Sequence, residues 1–308
     1  MTTSRRRVGM LTLAGATLAL TLAGTAAAAA PKRIVGTEHG DRLVGNSARN
    51  TIRGLGGHDV LRGKARMDLL TGGAGQDWVF GDNGADLLMG GPGQDRVSGG
   101  HGFELAHTGS GSDRFNGGPG TELALGAGGN DTMLGQAGSD LMQSGSGSDV
   151  VRGGRSSDFL VGGAGDDAVN GGRGGDLILE LLGNDTVRGG GGSDWLAVGD
   201  GRDAVWAGAR PDVVLVNNDG RGDVIRCGGG RDFAVTSGGR DRRDTYIGCE
   251  EVLRGRELEK RFDELPPLPG SVRVAPAPRA AGPALRQNYR HPLRSVETPA
   301  ELVKLLSH

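Results

Sequence analysis

Apolar and acidic positions recur along this chain at a fixed interval of nine residues. From Gly36 onward every ninth position is apolar, from Leu43, Ile52 and Leu61 through to Leu196, Val205 and Val214. Two residues before each of these stands a polar side chain that is Asp in seventeen of twenty copies, Glu in two and Asn in one. Gly fills the first position in fifteen copies and the fourth in fifteen, as in Gly72-Gly73-Ala74-Gly75-Gln76-Asp77-Trp78-Val79-Phe80 and Gly90-Gly91-Pro92-Gly93-Gln94-Asp95-Arg96-Val97-Ser98. The pattern predicts a three-residue strand with one inward side chain, followed by a six-residue turn that uses glycine for its positive φ angles. A strand that buries one side chain cannot stand alone, so stacking is obligatory. The predicted architecture is therefore all-β, a stack of short strands joined by glycine-rich turns. A register that holds for twenty copies excludes a disordered linker, and a period of nine excludes collagen.

Composition narrows this further. Of 308 residues 61 are Gly and only 4 % are aromatic, too few large side chains for a conventional packed core. The formal charge of −2 conceals an asymmetry: residues 36 to 249 hold 29 acids and 20 bases, whereas the first 35 residues hold five bases and no acid. Residues 1 to 30, with Arg5, Arg6 and Arg7 ahead of an apolar stretch and the run Ala26 to Ala30, read as a cleaved secretory signal, with Sec and twin-arginine export both open. Residues 31 to 35 are a short linker, 36 to 215 the repeat roll, and 216 to 249 degenerate repeats and a cap. A short helix is expected over 250 to 265, and 266 to 308 is a Pro/Ala/Arg-rich tail expected to be partly flexible. No later segment is apolar enough to span a membrane.

On these residues the chain resembles the RTX, or haemolysin-type, calcium-binding nonapeptide family, whose pattern is Gly-Gly-x-Gly-x-Asp-x-apolar-x. The resemblance implies that the first six residues of each copy turn and bind Ca²⁺ and the last three form the strand, so that two nonapeptides make one 18-residue coil of a parallel β-roll solenoid about ten coils long. Physical chemistry points the same way. Carboxylates one coil apart lie about 4.8 Å apart, the spacing of paired strands, and repel by about 3 kcal/mol at an effective dielectric near 20. Hard oxygen ligands favour Ca²⁺, and folding is expected to couple to the binding of multiple ions. Alternate copies fall on opposite edges and form two ladders. Asp41, Asp59, Asp77, Asp95, Asp113, Asp131, Asp149, Asp167, Asp185 and Asp203 make an unbroken one, expected to be the stronger. Asp68, Asp86, Asp140, Asp158, Asp176, Asp194 and Asp212 belong to the other, which Asn50, Glu104 and Glu122 interrupt and whose fourth positions include Ala48, Arg66, Ser156 and Arg210.

The residues flanking the buried one face outward. One sheet exposes a column of Leu69, Leu87, Leu105, Leu123, Leu141, Phe159, Leu177, Trp195 and Val213, and the other carries Arg96, Arg114, Arg152 and Arg188. So long an apolar column calls for cover, by the tail, a second copy or a cell-envelope or surface ligand. Cys227 and Cys249 are the only cysteines, and behind a secretion signal they are expected to form a disulfide that closes the last coil. The chain has neither His-Glu-x-x-His nor Gly-x-Ser-x-Gly, its six His are scattered, and its identical carboxylates do not form a differentiated catalytic pair. No enzyme activity and no nucleic-acid partner are expected. The sequence points to a secreted, extracellular calcium-binding module with a structural, adhesive or interaction role, and a hydrolase on a calcium-roll scaffold is the alternative.

Overall fold

The computed structural model describes residues 29–237, 241–254, 257, 261 and 264–269, and the chain winds there into a parallel β-solenoid of about 12 turns. One stack of strands runs from Lys32–Val35 and Asn50–Gly56 to Glu251–Arg254, the other from Arg42–Val44 and Val60–Ala65 to Thr245–Ile247. The two fifteen-residue strands Arg96–Ser110 and Arg114–Gly128 turn the corner and contribute to both stacks. Every pairing is parallel, and the register repeats the sequence period: Ile52 lies on Leu70, Leu61 on Val79 and Leu160 on Ile178.

The core follows from the alternation of the strand. In Val60–Ala65 the pattern has Leu61 and Gly63 buried while Arg62 and Lys64 are exposed. The inward residues of the two stacks, Ile52, Leu61, Leu70 and Val79 onward to Ile225, form one continuous apolar column. Burying one such side chain contributes about 1.5–3 kcal/mol, less than the cost of ordering nine backbone residues at about 1–2 kcal/mol each. A single copy is thus unstable by itself, and the turns must contribute more than their backbone.

The C-terminal end departs from expectation in three ways. The roll continues beyond ten coils, because the chain lengthens one turn to 20 residues (Val205 on Ile225, Val214 on Ala234) and another to 21 (Ile225 on Tyr246) without losing register. The helix expected over 250–265 is not how that segment begins: Glu251–Arg254 is a strand paired with Phe233–Thr236. The open edge of Phe233–Thr236 offers hydrogen-bonding groups that a strand can take up and a helix cannot; much of 255–263 lies outside the described residues. Third, Leu265 is buried and Leu268 packs beside it against Trp195, Val213, Phe233 and Leu253 on the outer face of the first stack. Arg231 bonds to Glu251 and Glu264, and Arg261 to the same two acids, which pins this segment in place.

The apolar column is therefore not open throughout. Trp195 and Val213 are fully buried beneath the tail segment, and Leu105 and Leu141 are also buried. Leu69, Leu87, Leu123, Phe159 and Leu177 are half-buried by their neighbours in the column. The disulfide Cys227–Cys249 closes the last coil with a Cα–Cα distance of 5.0 Å, and the loop it spans is long enough to contribute about 3 kcal/mol. Among the described residues no helix is long and apolar enough to cross a membrane. Deleting residues 255–308 should bare Trp195 and Phe233 and give concentration-dependent self-association in sedimentation velocity. A truncated chain that sediments as a single monomer at all concentrations would show that the tail is not the cover.

Candidate metal ladders

The turn that carries each Asp is shaped by two glycine requirements. At the first position the backbone faces inward, and a Cβ added to Gly72 would lie 2.4 Å from Asp77 Oδ2 and 2.7 Å from the Gly90 carbonyl oxygen. Glycine there leaves the carboxylate its room. At the fourth position the chain passes through left-handed φ, and a Cβ on Gly75 (φ 136°) would meet the Gly57 carbonyl oxygen at 1.7 Å. Arg66, Ser156 and Arg210 adopt the same left-handed conformation, with φ of 69°, 77° and 82°. The departures from Gly in the second ladder thus preserve the turn at a strain cost of order 1–3 kcal/mol each.

Each ladder carboxylate is divided between two tasks. One oxygen, Oδ1, accepts the backbone N–H of the Asp one coil earlier: Asp59 from Asp41 at 2.7 Å, Asp77 from Asp59 at 2.8 Å, Asp95 from Asp77 at 2.8 Å, and so on to Asp203 from Asp185 at 2.9 Å. The other oxygen has no hydrogen-bond partner at Asp59, Asp77, Asp95, Asp113, Asp131, Asp149, Asp167 and Asp203. Asp41, at the open end, is the exception, since its Oδ2 accepts both Thr37 N–H (2.7 Å) and Thr37 Oγ1–H (2.8 Å). All the other predicted ladder Asp of both edges are buried. Among the described residues no Lys, Arg or His is buried to answer them.

Burial is the main force on these groups. It raises Asp95, Asp131, Asp167 and Asp203 to about 7, the backbone N–H of the previous coil pulling down and the flanking ladder carboxylates pushing up. On the other edge Asp86 and Asp194 reach about 7, Asp158 and Asp212 about 8, for the same leading reason.

Asn50 reports what surrounds the free oxygen. Its Nδ2 donates to the carbonyl oxygens of Ala48 (2.6 Å), Asn46 (3.1 Å) and Gly63 (3.3 Å) and to Asp68 Oδ1 (2.9 Å). A single electropositive atom thus gathers four oxygens from two coils. The residues of the turns fit a hard cation by this test: carboxylate and carbonyl oxygens are present, and sulfur and imidazole are not.

The two edges differ as the sequence pattern implies. The first ladder keeps its N–H to carboxylate bond at every step and runs on through Asp223 to Asp244. The second is interrupted between Asp86 and Glu122. Glu104 and Glu122 leave both of their carboxylate oxygens without partners, and only at Asp140, which accepts Glu122 N–H at 3.0 Å, does the chain of bonds resume. Burial pushes Glu104, Glu122 and Asp140 upward; neighbouring carboxylates add to the rise at Glu104 and Glu122, whereas hydrogen bonding with Glu122 opposes it at Asp140. The bonds continue on that edge through Asp212 to Asp232 and Glu250.

The bond from Asp223 goes to Asp244, because the last coil is longer by three residues. The sequence pattern did not single out Glu180, which is buried at a first position where the repeat otherwise prefers Gly. An acid at an inward, glycine-preferring position was the available signal.

A family model of the RTX calcium-binding nonapeptide repeat matches residues 35–65, 63–97, 98–133, 107–142, 143–178 and 182–213, and the chain belongs to that family. No curated protein matches the chain. RTX nonapeptide repeats bind calcium.

Two outcomes follow from this geometry. A buried acid raised above its unfolded value stabilises the ion-free roll below about pH 4, and that contribution is lost as pH rises through about 7 to 8. In excess chelator, far-UV circular dichroism should show more β structure at pH 5 than at pH 8, while the calcium-saturated chain should release ions on acidification; identical chelator spectra at both pH values would contradict the burial argument. In a calcium titration Asp131→Asn should raise the half-saturating concentration at least several-fold more than Glu104→Gln, and equal shifts would remove the distinction between the edges.

Proposed function

We propose that this RTX chain is a secreted structural, adhesive or interaction module whose roll is completed by Ca²⁺ outside the cell and which carries no catalytic role. The observation that carries the reading is the pair of buried carboxylate columns, most rungs of which leave an oxygen without a donor, with no buried base among the described residues. Asp59, Asp77, Asp95, Asp113 and their successors would hold the ions together with turn carbonyls of the kind that converge on Asn50. The bound cation would supply charge neutralisation. The protein supplies the spacing, through the N–H to Oδ1 bonds and the inward glycines.

Extracellular calcium, which suits sites with dissociation constants of about 10⁻⁴–10⁻³ M, matches turns built from one carboxylate per rung. A disulfide at the last coil fits an oxidising compartment, in line with the signal-like start of the sequence. A flat face supports a role in surface contact. Arg96 lies over the Trp78 ring at 5.0 Å, Arg188 and Arg226 flank Trp206 at 4.6 and 5.2 Å, and Trp78 is 45 % exposed. Such a strip of cations and rings suits an acidic envelope polymer. The hydrolase alternative gains nothing comparable, because the ladder acids share one environment and a catalytic pair needs two.

Native mass spectrometry of the chelator-stripped chain during calcium addition tests the reading. Several ions should bind per chain, and magnesium at equal concentration should not replace them. A chain that takes up no calcium at millimolar concentration would overturn it.

A further inference from the structure

One side chain inside the roll has no place in the repeat. Glu180 stands at a first position, follows the strand Leu177–Leu179, and is 1 % exposed. Its backbone is fixed, since Glu180 N–H donates to the Ala197 carbonyl oxygen at 2.8 Å. Its Oε1 accepts Gly162 N–H at 3.2 Å, and its Oε2 has no partner. Other polar residues at first positions are satisfied: Thr108 donates to the Gly126 carbonyl oxygen and Ser144 to that of Gly162.

Glu180 lies against the unbroken ladder. Its carboxylate oxygen and one each from Asp167 and Asp185 lie within 4.8 Å of one another, and all three residues are buried. The space they share is opened by Gly162. A Cβ there would sit 2.0 Å from Glu180 Oε2 and 2.7 Å from Asp167 Oδ2, so the two unpartnered oxygens converge over a missing side chain. Asp167 and Asp185 are held in place by the ladder itself, Asp167 N–H donating to Asp185 Oδ1 at 2.9 Å.

Three acids meet here without a base. A proton would neutralise one charge of three, and burial together with Asp185 and Asp167 does push Glu180 up to about 9. A divalent cation neutralises two charges and satisfies both orphaned oxygens at once. Calcium accepts about six to eight oxygen ligands in a flexible geometry, whereas magnesium demands a near-ideal octahedron, so three carboxylates fixed in place by strand and ladder suit calcium.

We propose that Glu180, Asp167 and Asp185 form a calcium site inside the roll that is richer in carboxylates than the repeated turns and fills before them. More ligand charge raises calcium affinity, so this site would hold its ion at concentrations where the rest of the ladder is still empty and give the roll a first ordered coil. The proposal rests on the reading that the ladders take up calcium.

Native mass spectrometry of the full chelator-stripped chain, with calcium raised from micromolar to millimolar, separates the two. Wild type is compared with Glu180→Gln, which keeps the shape, and with Glu180→Gly, which restores the residue the repeat prefers and removes any doubt about fit. Both variants should lose the first binding step, with a shift of at least tenfold in the concentration at which the first ion appears, and should bind their ions over the range in which the rest of the ladder fills. Variants that match wild type in count and first step, or that lose affinity evenly over all steps, would overturn the site while leaving the ladder reading intact. A wild-type chain that binds no calcium would instead defeat the ladder reading itself.

Discussion

Among the described residues twenty-one acidic side chains are buried and no basic one is. In an ordinary interior, an uncompensated carboxylate costs several kcal/mol, and the group either finds a partner or gives up its charge. Here the partner is only half supplied. Along the unbroken ladder each rung donates one backbone N–H to the carboxylate of the next coil, which fixes the side chain and aligns the column, and most rungs keep the second oxygen free. The column is thereby built as one half of a salt, with its counter-charge left to come from solution.

The rest of the structure serves this arrangement. Glycine prevails at the first position because the carboxylate occupies the volume a Cβ would take, as Gly72 and Asp77 show. The core contributes one aliphatic side chain per strand, so its packing holds the coils in register without being able to stabilise any one of them alone. Both ends are closed by other means. At the start Thr37 satisfies the outer oxygen of Asp41, and at the other end a disulfide, an Arg–Glu network and the Leu265 segment cover the last coils. These are the places where the ladder has no neighbour to pair with. The interruption at Glu104 and Glu122 has the opposite character, since an added methylene breaks the bond pattern in mid-column while the strands continue undisturbed.

Much of this was legible in the sequence because a strict period turns position into geometry. The inward aliphatic, the two ladders and the departures at Glu104 and Glu122 all follow from counting by nine, and the Cys227–Cys249 pair from there being only two cysteines. What escaped lay where counting fails. Glu251–Arg254 read as helical by its apolar spacing, and its true conformation is set by the open edge of Phe233–Thr236, which no local pattern reveals. The bond from Asp223 to Asp244 depends on how much slack the last turn takes up. The backbone role of Oδ1 is a tertiary fact, visible only once coils stack. Glu180 was in plain view, but tallying glycines hid the one acid among the exceptions.

The central claim is that the stacked roll exists at neutral pH only with cations between its carboxylates. Small-angle X-ray scattering in matched buffers at pH 8 tests it directly. With calcium the chain should scatter as a stiff rod about 58 Å long, the length of about 12 turns at about 4.8 Å each. In excess chelator it should expand toward the dimensions of an unfolded chain. The same rod in both buffers would contradict the account.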